Sequence, residues 1–218
     1  MEILHALLGR PLLYRLAMTA IGSPRPRQVH VSRYIRPKKG DRILDVGCGV
    51  ADILESLPEV SYLGIDLNPL YIESARKNYG HRANFLCQDV TLIKDDEFEP
   101  FDIILATGLL HHLSDSECLT LLRSCRKLLK PSGHMITFDG CRVPGQHPID
   151  AWMHNNDRGK YVRSSDAYTS LASSVFPGVK INIHSDLLRI PYTLAIMELR
   201  LTSDTATVPT EQQACQTR

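Results

Sequence analysis

Short, nearly continuous apolar runs recur along the first two thirds of the chain: RILDVG (42–47), SYLGIDL (61–67), ANFLCQDV (83–90), FDIILATG (101–108) and HMITFDG (134–140). Each is closed by a turn residue or a charge. This pattern predicts strands covered on both faces. Between them the apolar positions space out at three and four. Asn68-Pro69 predicts a helix start, with a cap and then proline at the first helical position, and Gly80 closes that helix as a C′ residue. Ser114-Asp-Ser-Glu117 is a capping box, followed by Cys118, Leu121, Leu122, Cys125, Leu128 and Leu129 on one stripe, before Pro131 and Gly133 end the helix. Strand and helix alternating in this way predict a parallel α/β sheet.

The last third breaks the alternation. A long segment, 141–163, precedes a helix at 165–174. VKINIHSDLL (179–188) and YTLAIMELRL (192–201) then follow, joined through Arg189-Ile190-Pro191. So short a link predicts an antiparallel pair, since a parallel crossover needs more chain. The polar residues 202–218 predict a disordered tail. At the other end, SPRPRQ (23–28) reads as a linker after an apolar N-terminal stretch, 3–21, and a short helix is expected around VHVSRYI (29–35). His5, Arg10, Arg15 and Pro11 interrupt that stretch, so it predicts cover helices over a site, with lipid-surface contact a lesser alternative.

The expected architecture is therefore one doubly wound, Rossmann-like α/β sheet, mostly parallel with an antiparallel edge strand, plus N-terminal cover helices. Residues 1–36 form the cover, 37–201 the ligand-binding domain with 141–163 as a substrate lid, and 202–218 the tail. A formal charge of +1 argues against a partner held by bulk electrostatics, such as nucleic acid. The cysteines show no C-x-x-C pair and lie mostly in apolar runs, and no secretory leader is evident, which predicts reduced thiols in the cytoplasm. The chain is expected to act as a monomer or homodimer.

Chemistry concentrates where the strands end. LDVGCGVA (44–51) offers a glycine turn that brings backbone close to a ligand. A pyrophosphate is the usual occupant of such a turn, yet Asp45 precedes the glycines and Asp52 follows them. A ligand with a cationic centre and no phosphate suits the turn better, and S-adenosylmethionine is one. Asp45 would meet its ammonium, Gly47, Cys48 and Gly49 would pass its methionyl arm, and Asp66, followed by Leu67, would hold the ribose from about 20 residues on. Asp89, closing the third strand, would face the adenine.

These pieces together resemble the class I S-adenosylmethionine-dependent methyltransferases, in the branch similar to ubiquinone/menaquinone-biosynthesis enzymes. The resemblance rests on ILDVGCG (43–49), LGIDLNP (63–69), FLCQDV (85–90), FDIILATGLLHHLSD (101–115) and LLKPSGHMITFDG (128–140). It implies the same cofactor residues and Val90 beside Asp89 at the adenine, with Thr107, Gly108 and Leu109 bordering the sulfonium and the substrate entrance. Ala51 stands where the family often has a third glycine.

The acceptor side is less determined. His111 and Tyr161 are the candidate bases, although a histidine after the fourth strand can also serve only to orient its loop. Tyr14, His112, Trp152, Arg158 and Arg163 are candidate substrate contacts, the arginines for an anionic group. The segment 141–163 has a plainer reading as a surface helix packing its aromatics. No metal is expected, since nothing completes a ligand set around His111-His112. The implied function is methyl transfer to a small molecule. A cofactor-binding protein with other chemistry or a regulatory role is one rival. A protein or nucleic-acid methyltransferase is the other, although ATGLLHH replaces the amine-gripping N/D-P-P-Y pattern.

Overall fold

A computed structural model describes residues 24–93, 97–156 and 159–203. The chain enters with α1 (Pro24–Val29) and a wider π-helical turn (His30–Ile35). The sheet is then built from β1 (Arg42–Val46), β2 (Ser61–Asp66), β3 (Asn84–Cys87), β4 (Phe101–Thr107) and β5 (Leu129–Arg142). Helix α2 (Pro69–Tyr79) connects β2 to β3, and α3 (Asp115–Leu128) connects β4 to β5. Beyond β5 come α4 (Pro148–Asn155), the short β6 (Arg163–Ser164), α5 (Ser165–Ser173), β7 (Gly178–His184) and β8 (Leu194–Arg200).

The strand order is β3-β2-β1-β4-β5-β8-β7, with β6 paired to the end of β5. All pairings are parallel except those of β8, which runs antiparallel to both β5 and β7. The chain steps outward from β1 to β3 and then returns to place β4 on the other side of β1. Loops after β1 and β4 therefore diverge and leave a crevice at the C-terminal edge of the sheet, where ligands of such folds bind.

Alternation along the strands divides the core into two layers. Ile43, Ile103, Leu105, Ile136 and Ile196 face one side, with α2 contributing Ile72, Ala75 and Tyr79 and the first helices contributing Tyr34 and Ile35. Leu44, Val46, Ile104, Ala106 and Met135 face the other, beneath α3 and α5. The α3 stripe Cys118, Leu121, Leu122, Cys125 and Leu128 is buried as the pattern implies, each leucine contributing about 2 kcal/mol by burial. Its capping box forms, with Ser114 Oγ accepting from Glu117 N and the Glu117 carboxylate accepting from Ser114 N.

Several local expectations shift. The stretch 23–28 is not a linker, because residues 24–29 are helical. Pro24 and Pro26 fall in the first turn, where backbone N–H groups lack intrahelical partners anyway, so neither interrupts the ladder. Gly80 ends α2 in right-handed geometry, φ −61°, as the C-cap itself. The third strand stops at Cys87, because Asp89 leaves the ladder to cap a 3₁₀ turn through Thr91 N. The fifth strand starts at Leu129, directly from the helix. The expectations for residues 1–23 and for 204–218 lie outside the described residues. Among the described residues, no helix is long and apolar enough to cross a membrane.

Candidate functional site

The glycine turn at the end of β1 is closed from within. Gly47 N and Cys48 N both donate to Ile65 O, Ala51 N donates to Cys48 O, and Gly49 N donates to the Asp66 carboxylate at 2.9 Å. Amides that would cradle a phosphate are thus already used. Asp66 also accepts from Asn68 N at 2.8 Å, so one carboxylate welds the β1 turn to the β2 turn. A Cβ on Gly49 would meet nothing within 4 Å, so the turn presents open space there. Gly47 is closer-set, its own Cβ position lying 3.1 Å from the Leu109 side chain. Asp52, expected to help exclude phosphate, points elsewhere: its carboxylate lies 3.8 Å from the Arg27 guanidinium and accepts from Tyr79 Oη at 3.4 Å. Exclusion therefore rests on Asp45, Asp66 and the occupied amides.

Asp45 is buried, and Tyr62 Oη donates to its Oδ2 at 2.5 Å. Its Oδ1 has no hydrogen-bond partner. Burial pushes the Asp45 carboxyl up to about 7, against the opposing hydrogen bond from Tyr62 and with a small further push from Asp66. A buried carboxylate oxygen left unpaired is costly and is relieved by a cationic donor. The ammonium of an amino-acid ligand is such a donor, so the residues fit the group inferred from sequence.

Along the crevice, Leu67 and Leu92 are 70% and 73% exposed, two large apolar side chains that follow β2 and β3. Asp89 lies between them in sequence, its Oδ1 committed to Thr91 N and Oγ1. Val90 is buried beneath. Leu92 is a residue that sequence reasoning missed; an exposed leucine in a 3₁₀ turn leaves no periodic trace.

Loop residues after β4 form the other wall. Gly108 adopts φ +67°, and a Cβ there would lie 3.9 Å from His111 Cε1, so the imidazole edge borders this glycine. His111 is buried, its Nδ1 2.8 Å from Asp139 Oδ1 on β5, and its backbone N reaches the same oxygen at 3.3 Å. Asp139 is itself 2% exposed and keeps Oδ2 unpartnered. A carboxylate can only accept, so Nδ1 carries a proton in this pair. Asp139 was not singled out from sequence; its signal was a carboxylate at the end of a buried strand, like Asp45 and Asp66.

His30 was missed as well. From the turn after α1 it packs edge-on against Phe138, ring centroids 4.8 Å apart, with Nε2 3.4 Å from Thr107 Oγ1. Burial pushes it down to about 3, so it stays neutral, and its Nδ1 has no partner. Thr107 thus sits under a histidine on one layer of the sheet, and Asp139 holds His111 on the other.

The remaining expected contacts scatter. His112 is exposed and stacks beside His111 at 4.2 Å between centroids. Trp152 is 64% exposed on α4, next to Ile149 at 51%, and both face away from the helix's anchored side. That side is held by Asp150, which accepts from Thr193 N and Oγ1, and by His154, which meets Gln146 Nε2 at 2.8 Å. Arg163 does not offer its guanidinium to a ligand: Leu110 O, Leu113 O, Tyr161 O and Asp115 Oδ1 fill it. Tyr161 lies against that guanidinium, 5.8 Å from ring centroid to Cζ, and its backbone N donates to His111 O. Tyr14 and Arg158 lie outside the described residues.

A family model described as a methyltransferase domain matches residues 44–135. Over 103 residues the chain is 33% identical to a ubiquinone biosynthesis O-methyltransferase of Coxiella burnetii, covering 44% of this chain and 42% of that protein. It is 27% identical over 180 residues to aclacinomycin 10-hydroxylase RdmB of Streptomyces purpurascens, 75% of this chain and 47% of that one. In fold it is similar to the pyocyanin biosynthetic protein PhzM, with TM-score 0.66 and 18% identity over 86% of this chain and 57% of that one. The chain therefore spans about half the length of these relatives.

Proposed function

From the premise that this chain carries a class I S-adenosylmethionine-dependent methyltransferase domain of the ubiquinone-biosynthesis-like branch, we propose that it methylates a hydroxyl oxygen of a small-molecule acceptor. The observation that carries the choice of oxygen is the His111–Asp139 pair beside Gly108. A hydroxyl is a weak nucleophile until its proton is taken, and an imidazole whose Nδ1 is held by a carboxylate is a group that can take it on Nε2.

In this reading Asp45 binds the cofactor's ammonium, Gly47, Cys48 and Gly49 pass its methionyl arm, and Asp66 holds the ribose. Leu67, Leu92, Val90 and Asp89 enclose the adenine. When bound, S-adenosylmethionine supplies a methyl group on a sulfonium centre, which leaves as a neutral thioether. His111 receives the acceptor proton on Nε2, and Asp139 holds the imidazolium that results. Thr107 and Gly108 shape the crevice in which the acceptor oxygen is aligned, and alignment accounts for much of the barrier reduction in such a displacement. Tyr161, turned onto Arg163, is given no part in the proton transfer.

Residues 1–36 are assigned as cover, 37–201 as the catalytic domain, 141–163 as the wall on the acceptor side, and 202–218 as a tail. The chain acts alone or as a homodimer, in the cytoplasm. Free thiols at Cys48, Cys87, Cys118, Cys125 and Cys141 suit a reducing compartment. Burial pushes the Cys125 thiol up to about 12, which leaves it inert.

The test is calorimetric titration with S-adenosylmethionine and S-adenosylhomocysteine, followed by incubation with a panel of phenols and enols. Saturable binding, lost in Asp66→Ala, and acceptor-dependent release of S-adenosylhomocysteine are expected. The similarity to a protein named a 10-hydroxylase favours a second reading, in which the same site binds the cofactor for other chemistry. Acceptor conversion without release of S-adenosylhomocysteine would select it.

A further inference from the structure

The segment from Gly159 to Arg163 is strapped across the loop that carries His111. Tyr161 N donates to His111 O at 3.0 Å. Arg163 Nη1 donates to Leu110 O at 2.9 Å, and Nη2 donates to Leu113 O at 2.6 Å. Three carbonyls of one short 3₁₀ turn, Leu110–His112 and its C-cap, are thereby satisfied from a segment about fifty residues further on. The guanidinium is completed by Asp115 Oδ1 at 2.9 and 2.7 Å from Nε and Nη2, and lies between the rings of Tyr161 and Tyr168, each 5.8 Å away. Arg163 is 8% exposed. Only a planar, five-donor fork fills such a set of acceptors.

The imidazole itself is touched by the strap. A Cβ added at Gly159 would overlap the His111 ring at Cδ2 and lie 2.7 Å from His111 O. The ring is therefore bounded on one edge by Asp139, through Nδ1, and on the other by the Gly159 backbone. The two contacts bear on opposite sides of the ring's Cβ–Cγ bond, so both oppose its rotation. The helices α3 and α5 are also buried through their own apolar residues.

We propose that Gly159 and Arg163 are positioning residues for His111, holding the imidazole with its Nδ1 on Asp139 and so in the Nδ1-protonated tautomer. The inference rests on the reading of His111 as the base, but the arrangement can be measured without turnover. It assigns Arg163 to the alignment of the base rather than to anion recognition.

The test is a long-range proton–nitrogen correlation spectrum of the full chain labelled with ¹⁵N-histidine and saturated with S-adenosylhomocysteine. His111 is assigned from the signal lost in His111→Gln. The wild type should show one tautomer, protonated at Nδ1. Gly159→Ala, and independently Arg163→Lys, should give a mixture of tautomers. Affinity for S-adenosylhomocysteine should stay within twofold, and kcat on the acceptor found in the screen should fall tenfold or more with KM little changed. If Gly159→Ala does not fold, Arg163→Lys carries the comparison. An unchanged His111 tautomer in a folded variant overturns the proposal, whatever happens to kcat. Full methyl transfer by His111→Gln overturns the base reading instead, and the tautomer comparison still judges the strap.

Discussion

The crevice has two walls made in different ways. The wall after β1, β2 and β3 is local: Asp66 ties two turns together through Gly49 N and Asn68 N, and Tyr62 supports Asp45 from the adjacent strand. The wall after β4 is assembled from a distance: His111 takes its partner from β5 and its brace from residues 159–163, and Thr107 meets His30 from the turn before β1. A ligand shared by a whole fold can be met by short-range elements. An acceptor peculiar to one protein is met by side chains from separate segments, which can vary without disturbing the sheet.

The strongest way to break this division is Asp66→Ala. Both carboxylate oxygens hold backbone amides, and hydrogen bonds to a charged group contribute about 1.5–3 kcal/mol each. Loss of about 3 kcal/mol of stability and at least a hundredfold weaker binding of S-adenosylhomocysteine are expected, by chemical denaturation and calorimetry. His111→Gln should leave binding unchanged. If it weakened binding as much as Asp66→Ala, the two walls would not be separable.

Next in size is the pH dependence of Asp45. Its carboxyl, at about 7, lies above the ordinary range, so the folded state favours the protonated form. Stability from this group is present at low pH and is lost as pH rises toward 7. Binding runs the other way under the proposal that the ammonium pairs with the carboxylate: affinity should rise by up to about tenfold per unit below pH 7 and level off above it. Calorimetry from pH 5 to 8 checks the slope. Tyr62→Phe removes the hydrogen bond that favours the charged form and should move the midpoint upward by about one unit. Asp45→Asn should flatten the profile.

A smaller effect sharpens the other wall. His30 is buried and neutral, with Nδ1 unpartnered. An apolar ring of similar shape removes that cost, so His30→Phe should raise stability by about 1 kcal/mol, read as a higher thermal midpoint. If His30 serves the acceptor, the same variant should lose transfer while gaining stability. A variant that gains both would make it a core residue only.

The same division explains what the sequence discloses. Buried strands, the Asn68 cap and the capping box at Ser114 are written in neighbouring residues and can be read directly. Asp45 and Asp66 are legible because each stands at the end of an apolar run beside turn residues, although Asp45 lies opposite Gly64 rather than Asp66. Asp139 sits at a comparable place on β5, but its role appears only when His111 folds against it. Arg163 reads as a free cation in sequence, because nothing adjacent announces that the carbonyls of Leu110 and Leu113 will fill it. Pro24 and Pro26 read as a linker because proline is punctuation on average, yet their position in a first turn makes them harmless.

The smallest expected change tests whether the local wall tolerates its one irregularity. Ala51 occupies the left-handed region, φ +58° and ψ 31°, where glycine is unstrained and an L-residue pays about 1–2 kcal/mol. Its methyl group is 1% exposed and packs in the layer with Leu54 and Ile72, which returns about 0.8 kcal/mol by burial. Glycine would relieve the strain but forgo that burial, and it would lose more backbone freedom on folding, by about 0.5–1 kcal/mol. The terms nearly cancel, so Ala51→Gly should change stability by no more than about 0.5 kcal/mol. Binding of S-adenosylhomocysteine should stay within twofold, because Ala51 N already donates to Cys48 O and the turn keeps its shape. A large gain in affinity would mean that the alanine holds the turn away from the cofactor, and that this locally built wall is itself strained.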